Sequence, residues 1–340
     1  MSTDELVKVE GLRLIFETLY GTVKALSGVD LTIKRREVLG LVGESGCGKT
    51  VLGLSIIGLL PIPPGKILDG KIYYQGRNLL ELSDKDMEKV RGTGITMIFQ
   101  EPMTALNPVF TVGDQITESI KVRSERSSER PHREKAEKPR MRPRSKNSWS
   151  NEVIEALKLV RISDPQSIVR RYPHELSGGM RQRVMTAMAL AAKPSLMIAD
   201  EPTTAVDVTT QAQVLKLMRE LMEEVNTSIL FISHDFGVIA EISDRVAVMY
   251  AGNIVEEAPV YELFESPLHP YTRALLASLP SVASKKKGLE AIAGEVPSLV
   301  ALPPGCAFHP RCRRAKKECS LVVPKLTEVS PNHKVACLPD

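Results

Sequence analysis

The stretch that most restricts the fold is "GESGCGKT" at 43–50, because its flanks predict a strand before it and a helix after it. The apolar run "EVLGLVG" predicts a buried strand that leads into the glycines, and residues 50–60 predict the helix that follows. The stretch satisfies the pattern G-x-x-x-x-G-K-[ST] at Gly43, Gly48, Lys49 and Thr50. Backbone amides of such a loop wrap a phosphate, the lysine reaches the β and γ oxygens, and the hydroxyl binds Mg²⁺.

Length and composition indicate a globular chain with room for two domains. The 340 residues are 43% hydrophobic, which is ordinary for a protein with a sizeable buried core. The longest apolar run, 51–62, contains glycine and proline and is shorter than the roughly 18 residues that a membrane span requires. The start, "MSTDELVKVEG", lacks the apolar segment of a secretory signal. We therefore expect a cytoplasmic protein whose thiols are reduced.

Apolar runs of strand length indicate a parallel sheet. The runs "SLMIAD" at 195–200 and "TSILFIS" at 227–233 flank the helical pattern "TTQAQVLKLMRELMEEV". A buried strand, a helix and a second buried strand in this order are typical of a parallel sheet covered by helices. The run "RVAVMYAGNIVEEAP" predicts a hairpin that turns at Gly252-Asn253, and residues 6–33 predict a β meander.

The text between Gln100 and Ser177 is mostly helical and predicts a separate lobe. Within it, residues 121–147 hold eleven Lys or Arg and four Glu, a charge of 11 − 4 = +7 in a chain whose net charge is +4. This stretch has almost no apolar residues, so we expect a solvated, partly disordered excursion. A nucleic-acid or lipid contact is the alternative, which the lack of interleaved aromatic residues disfavours.

Two adjacent carboxylates follow the apolar run "LMIA". An acidic pair after a strand often only stabilises the N-terminus of the following helix. Here the loop at 43–50, called the phosphate loop below, is predicted on the same sheet, so the pair is assigned a role in the site. We expect Asp200 to hold Mg²⁺ through its water shell and Glu201 to orient or deprotonate the attacking water.

A second glycine loop, "LSGGMRQR" at 176–183, precedes another helical pattern. Exposed amides at the positive end of a helix form an anion site, yet one nucleotide hardly needs two loops from distant segments. Polar residues also follow two further apolar runs: Gln100 stands behind "ITMIF" and His234 shortly behind "ILFIS". Each of these features alone would be unremarkable. Their order along the chain is hard to produce by accident: the loop at 43–50, Gln100, the loop at 176–183, the acidic pair at 200–201, Asp207 and His234.

With its motifs in that order, the sequence resembles the nucleotide-binding subunits of ABC transporters over nearly its whole length. The resemblance implies an α/β fold: a P-loop NTPase core of the ABC type with an antiparallel β subdomain and a helical subdomain, and a small Cys-rich C-terminal domain. It also implies a head-to-tail dimer in which each ATP lies between one subunit's phosphate loop and the other's L-S-G-G loop. Residues 176–179 would then hold the partner's γ-phosphate.

The resemblance assigns roles position by position. Tyr20 would stack on adenine, Gln100 would sense Mg²⁺ or the γ-phosphate, and His234 would clamp the γ-phosphate. Asp207 would make the D-loop contact across the dimer, although the family's usual "SALD" is "TAVD" here and its common signature Gln is Met180. The predicted sites are therefore ATP-binding (Tyr20, Gly43, Glu44, Ser45, Gly46, Cys47, Gly48, Lys49, Thr50), Mg²⁺ (Thr50, Gln100, Asp200), catalytic (Glu201, His234, Gln100) and contributed to the partner (Leu176, Ser177, Gly178, Gly179, Met180, Asp207).

Four segments resemble the oligopeptide and dipeptide importer branch: "FQEPMTALNP", "YPHELSGGMRQRV", "HPYTRALLASLP" and "PPGCAFHPRC". The resemblance implies a cassette at 1–265, with its helical subdomain at about 101–180, and a C-terminal domain at 266–340. It further implies a second ATPase subunit of the same or a related chain, two membrane permease subunits, and indirectly an extracytoplasmic solute-binding protein. Import of sugar oligomers or nickel stays an alternative, as does a soluble ATPase acting on nucleic acid.

Four of the five cysteines fall near the C-terminal end, at Cys306, Cys312, Cys319 and Cys337. Disulfides are disfavoured by the expected compartment, and the spacings are wider than the tight pairs of common zinc sites. Spacing alone leaves an iron-sulfur cluster, Zn²⁺ and no metal open. The resemblance implies a [4Fe-4S] cluster bound by these cysteines.

Overall fold

The computed structural model describes residues 4–100, 105–127, 150–203, 208–279 and 292–338. These residues form two compact units, one built from 1–82 with 228–340 and the other from 83–227. In the described part of the chain, no helix is both long enough and apolar enough to cross a membrane.

Strands and helices both occur along the whole described chain. The strands are β1 Glu5–Thr18, β2 Gly21–Lys34, β3 Val38–Val42, β4 Gly65–Tyr74, β5 Arg77–Asn78, β6 Ile95–Ile98, β7 Leu196–Asp200, β8 Ser228–Ser233, β9 Arg245–Tyr250, β10 Asn253–Pro259, β11 Thr327–Ser330 and β12 His333–Val335. The α-helices described are Lys49–Ile57, Asp84–Val90, Val112–Ser127, Asn151–Leu159, Pro165–Ile168, Gly178–Ala191, Val208–Val225, Phe236–Ile242, Val260–Glu265 and Pro270–Ala277.

The first unit contains an antiparallel sheet in the order β2-β1-β4-β5 and a second sheet built around β3. All five residues of β3 are buried, as expected of a central strand covered on both faces. β3 pairs in parallel with β8 and with β9, and β10, β12 and β11 continue the sheet in antiparallel fashion beyond β9. The sequence-based prediction of a buried strand before the phosphate loop is therefore confirmed.

The second unit combines the parallel pair β6 and β7 with helices. The helix Asn151–Leu159 begins after Ser150 and buries Val153, Ile154 and Leu157, which lie on one face at helical spacing. It packs against the helix Gly178–Ala191, which buries Val184 completely. Helices are thus present in the described part of 100–177, whereas the separate helical lobe and the division into domains at 265/266 stay predictions.

Three details differ from the sequence-based expectations. The hairpin of β9 and β10 turns at Ala251-Gly252, one residue earlier than expected, and both residues have positive φ. Residues 6–33 form two long paired strands instead of several short ones. The basic stretch begins as a helix, since 121–127 continue Val112–Ser127 and Arg123 forms a 3.0 Å ion pair with Glu152; positions 128–147 of that stretch lie outside the described residues.

Candidate functional site

The phosphate loop closes on its own lysine. Lys49 is 5% exposed, and its ammonium donates hydrogen bonds to the carbonyl oxygens of Gly43 (2.7 Å) and Glu44 (3.1 Å). Gly48 has a φ of +110°, and a Cβ there would lie 2.7 Å from the Ala25 carbonyl oxygen. Only glycine fits this position, since a side chain would meet backbone and not a flexible neighbour.

Cys47 and Thr50, two further side chains of the loop, differ in their exposure to solvent. Cys47 is 1% exposed, and burial raises the pKa of its thiol, so the sulfur remains protonated and unreactive. The Thr50 side chain is exposed in the first turn of the helix Lys49–Ile57. The hydroxyl that the motif assigns to Mg²⁺ is therefore on an accessible surface of the loop.

Strand register brings His234 to the loop's edge of the sheet. In the parallel pair of β3 and β8, Val42 lies opposite Ser233. The phosphate loop starts directly after Val42, and the exposed His234 directly follows Ser233. Tyr20 stands at the tip between β1 and β2 and is 92% exposed, and further along β2 the residues Ala25 and Leu26 border Gly48.

In the second unit, strand register also places Gln100 beside the acidic pair Asp200 and Glu201. Ile98 lies opposite Ala199 in the parallel pair of β6 and β7. The Gln100 amide donates a 3.0 Å hydrogen bond to the Glu201 carboxylate, and Asp200 is 2% exposed at the end of β7. Glu201 has a φ of +46°, a conformation that L-residues rarely adopt and that tends to occur at functional sites.

The second glycine loop lies on the surface of this second unit. Leu176 is buried, whereas Ser177 and Gly178 are exposed, and a Cβ on Gly178 would meet nothing within 4 Å. The Ser177 hydroxyl caps the helix Gly178–Ala191 by accepting a 3.4 Å hydrogen bond from the Met180 amide. The loop therefore presents backbone amides at an open helix N-terminus. Asp207, expected to make the D-loop contact, lies outside the described residues.

A surface loop of the second unit exposes apolar side chains. Val109 is 72% exposed and Phe110 is 52% exposed. The Gln115 side chain is 6% exposed and anchors this loop by accepting from the Asn107 amide at 2.9 Å and donating to the Asn107 and Phe110 carbonyls, each at 3.1 Å. The loop is thus held in a defined conformation while its two apolar side chains point away from the core.

The four C-terminal cysteines line one cavity of about 520 Å³, together with His269 and Phe308. Gly305 allows the chain to fold there: its φ is +69°, a Cβ would lie 2.4 Å from the Cys319 carbonyl oxygen, and the Cys306 amide donates to that oxygen at 2.8 Å. All four cysteines are free, so they form no disulfide. Burial raises the pKa of the Cys306 and Cys337 thiols.

The lining of this cavity is not arranged as a metal site in the part of the chain that the structure describes. Within the described ranges, no group of three or more His, Cys, Asp or Glu side chains is arranged to hold a metal ion. The [4Fe-4S] cluster expected from the sequence thus has its four thiol donors around one cavity but no preformed metal site.

Sequence reasoning missed two residues that touch the phosphate loop. The Tyr271 hydroxyl accepts a 2.9 Å hydrogen bond from the Glu44 amide, and Arg311 forms a 2.8 Å ion pair with the Glu44 carboxylate. Both belong to the quoted segments "HPYTRALLASLP" and "PPGCAFHPRC", which lie outside the phosphate-binding motif. The sequence did contain one signal. Glu44 lies within the phosphate-binding motif, and because a carboxylate does not bind a phosphate, its side chain indicates a contact with another part of the chain.

Family models match two parts of the chain. Residues 26–204 match the model described as ABC transporter. Residues 255–319 match the model described as oligopeptide/dipeptide transporter, C-terminal region.

Several curated proteins are similar over almost their full length. The probable peptide ABC transporter ATP-binding protein y4tR of Sinorhizobium fredii is 48% identical over 98% of this chain and 95% of its own. The dipeptide transport ATP-binding protein DppD of Bacillus subtilis is 44% identical over 98% and 94%, and the oligopeptide transport ATP-binding protein OppD of the same organism is 47% identical over 97% and 87%.

A solved structure agrees in fold. The dimeric ATP-binding cassette MJ0796, in a post-hydrolysis state bound to ADP and Pi, superposes with a TM-score of 0.61 at 25% identity. The match covers 75% of this chain and 98% of that one.

Proposed function

Because this chain belongs to the ABC transporter family, as an ATP-binding subunit of its peptide importers, we propose that it hydrolyses ATP at sites that two subunits complete for each other. The observation that carries this proposal is a pair of glycine loops, at 43–50 and 176–179, each of which leads into a helix N-terminus. One ATP needs only one of them on its own chain. The exposed Ser177 and Gly178 are therefore available to a second subunit, as in a dimeric cassette.

The phosphate loop supplies binding and charge stabilisation. Its amides and the Lys49 ammonium neutralise the β- and γ-phosphates, and Tyr20 supplies an exposed ring on which adenine stacks. Glu201 orients and deprotonates the attacking water, with Gln100 holding its carboxylate. His234 clamps the γ-phosphate from the end of β8.

The residues assigned to Mg²⁺ suit that ion. Thr50, Gln100 and Asp200 offer a hydroxyl, an amide and a carboxylate oxygen, the hard donors that Mg²⁺ prefers, and Asp200 is buried at a strand end. When bound, the ion neutralises charge that develops on the phosphate oxygens.

Transport requires that ATP bind a closed dimer more tightly than an open one. Contacts made by the partner's copy of the 176–179 loop only after closure supply that difference. Closure is passed to the two permease subunits through the loop of Val109 and Phe110, whose exposed apolar side chains suit a protein contact. The chain is then a peripheral subunit on the cytoplasmic face of the membrane, and an extracytoplasmic binding protein selects the peptide.

For the C-terminal cavity we propose a [4Fe-4S] cluster, with Zn²⁺ as the alternative. Four thiols line one cavity, and thiolates are the ligands of such clusters. Anaerobically purified protein would contain about four irons per chain; stoichiometric zinc would contradict this assignment.

The function is tested by reconstitution. The chain is incorporated into proteoliposomes with its cognate permease subunits and, if the transporter needs one, a second ATPase subunit. We expect peptide-loaded binding protein to stimulate ATP turnover and peptide to accumulate. Stimulation by a sugar oligomer or by nickel, and not by peptides, would assign another solute to the same motor.

A further inference from the structure

Glu44 is attached to the rest of the first unit through each of its polar groups. Its carbonyl oxygen accepts from Lys49 at 3.1 Å, within the phosphate loop. Its amide donates to the Tyr271 hydroxyl at 2.9 Å, across 227 positions of sequence. Its carboxylate accepts two hydrogen bonds from Arg311, from Nη1 at 2.8 Å and Nη2 at 3.1 Å, across 267 positions.

Arg311 is itself held rigidly. Its side chain is 6% exposed, and its Nε donates to the Ala293 carbonyl at 3.1 Å. The guanidinium carbon lies 5.9 Å from the Tyr250 ring centroid and 6.0 Å from that of Phe308. A bidentate arginine-carboxylate pair with little solvent exposure fixes geometry as well as charge.

Tyr271 is equally constrained. It is fully buried, and its ring lies 4.5 Å from that of Tyr250 and 5.3 Å from that of Phe308, measured between centroids. The Tyr271 amide donates to Nδ1 of the buried His269 at 3.1 Å, which starts the helix Pro270–Ala277. The hydroxyl is therefore delivered to the Glu44 amide by a rigid aromatic cluster.

From these contacts we propose that Arg311 and Tyr271 are positioning residues for ATP binding, acting through Glu44 on the phosphate loop. The inference rests on the proposed role of residues 43–50 in holding the phosphates. A loop whose amides are already oriented loses less conformational freedom when the anion binds. Because Arg311 immediately precedes Cys312, the same contact connects the phosphate loop to the cysteine-lined cavity.

The test measures ATP affinity of the full-length chain. We expect Arg311→Ala to raise the Kd for ATP, and the KM of turnover, about tenfold while kcat at saturating ATP stays within about twofold of the parent. Arg311→Lys should recover only part of the affinity, because an ammonium cannot pair in bidentate fashion. Arg313→Ala, which removes an exposed arginine two positions along, is the matched control and should bind ATP as the parent does.

A double-variant cycle separates positioning from a general structural role. If Arg311 acts through Glu44, then Glu44→Gln should weaken ATP binding to a similar degree, and the double variant should be no weaker than either single one. Thermal melting identifies folded samples, and Glu44→Gln carries the test if Arg311→Ala does not fold. Parental ATP affinity in the folded Arg311→Ala and Glu44→Gln variants, or fully additive losses, would overturn the proposal.

A further variant separates failure of the positioning role from failure of the proposed phosphate-binding role of residues 43–50. Lys49→Ala should abolish ATP binding. If it does so while Arg311→Ala binds normally, the positioning role alone fails. Unchanged binding in Lys49→Ala would instead remove the assignment of residues 43–50, and the positioning role with it.

Discussion

The side-chain amide of Gln100 donates a 3.0 Å hydrogen bond to the carboxylate of Glu201, although the two residues are 101 positions apart. The contact follows from the parallel pairing of β6 and β7, whose carboxyl ends deliver both side chains to one edge. It orients a carboxylate that the proposed mechanism uses as the base toward water.

Replacing Glu201 with Gln should leave ATP binding intact and lower turnover at least about a hundredfold, because the base is lost and the shape is kept. The ATP-bound dimer should then persist, which light scattering with and without ATP would detect. Glu224→Gln, at an exposed position on the helix Val208–Val225, is the control and should turn over as the parent does. Parental turnover in Glu201→Gln would refute the role of this residue.

Mixing two inactive variants tests whether the site is shared. Lys49→Ala disables a chain's own phosphate loop, and Ser177→Arg disables the loop it lends to its partner. In a head-to-tail dimer the mixed pair retains one intact site, so a mixture should recover about a quarter of parental turnover if pairing is random and the sites are independent.

The control mixture combines Lys49→Ala with Glu201→Gln. Both changes act on a chain's own site, so this mixture should remain inactive. If the mixture of Lys49→Ala and Ser177→Arg also stays inactive while the parental chain dimerises with ATP, the shared-site model is wrong.

The exposed apolar loop should matter for transport and not for chemistry. Phe110→Ser should lower peptide import about tenfold, as expected for the loss of an aromatic interface contact, while ATP turnover of the isolated chain is unchanged. Tyr261→Ser, which removes a 68% exposed aromatic side chain in the first unit, is the matched control. Equal import by both variants would exclude the loop as a contact with the permease.

Stability should depend on the protonation of His269. Burial lowers the pKa of His269 to about 4, below its ordinary value of 6.5, so the folded protein holds this imidazole neutral. The unfolded chain binds the proton first, and the stability contribution present above pH 6.5 is lost as the pH falls toward 4. The loss amounts to about 3 kcal/mol.

The variant His269→Asn isolates this effect. An asparagine side chain can also accept from the Tyr271 amide but does not titrate in this range. Calorimetry of both proteins between pH 7.5 and 4.5 should show a steeper fall of the melting temperature for the parent. Parallel curves would show that protonation of His269 does not lower the stability of the folded protein.

Local pattern alone predicted much of the fold and several candidate site residues. The strand before residues 43–50, the helix after them and the acidic pair at the end of β7 follow from features within a few residues. Apolar periodicity selects strand or helix, and a backbone turn such as that at Gly48 requires glycine whatever lies elsewhere. The hairpin of β9 and β10 was predicted for the same reason, and its turn lies one residue earlier, at Ala251-Gly252, where both residues have positive φ.

The sequence by itself therefore determined which segments form most of the strands and helices and which loops are candidates for binding anions. Only the tertiary structure decided which side chains meet: Gln100 with Glu201, His234 with the edge of the phosphate loop, four cysteines around one cavity, and Arg311 with Glu44. Such pairings join residues separated by tens to hundreds of positions, and they depend on strand register and on how aromatic side chains such as Tyr250 and Phe308 pack. No short window of sequence contains that information, because the free energy that selects each contact comes from burial of the whole core.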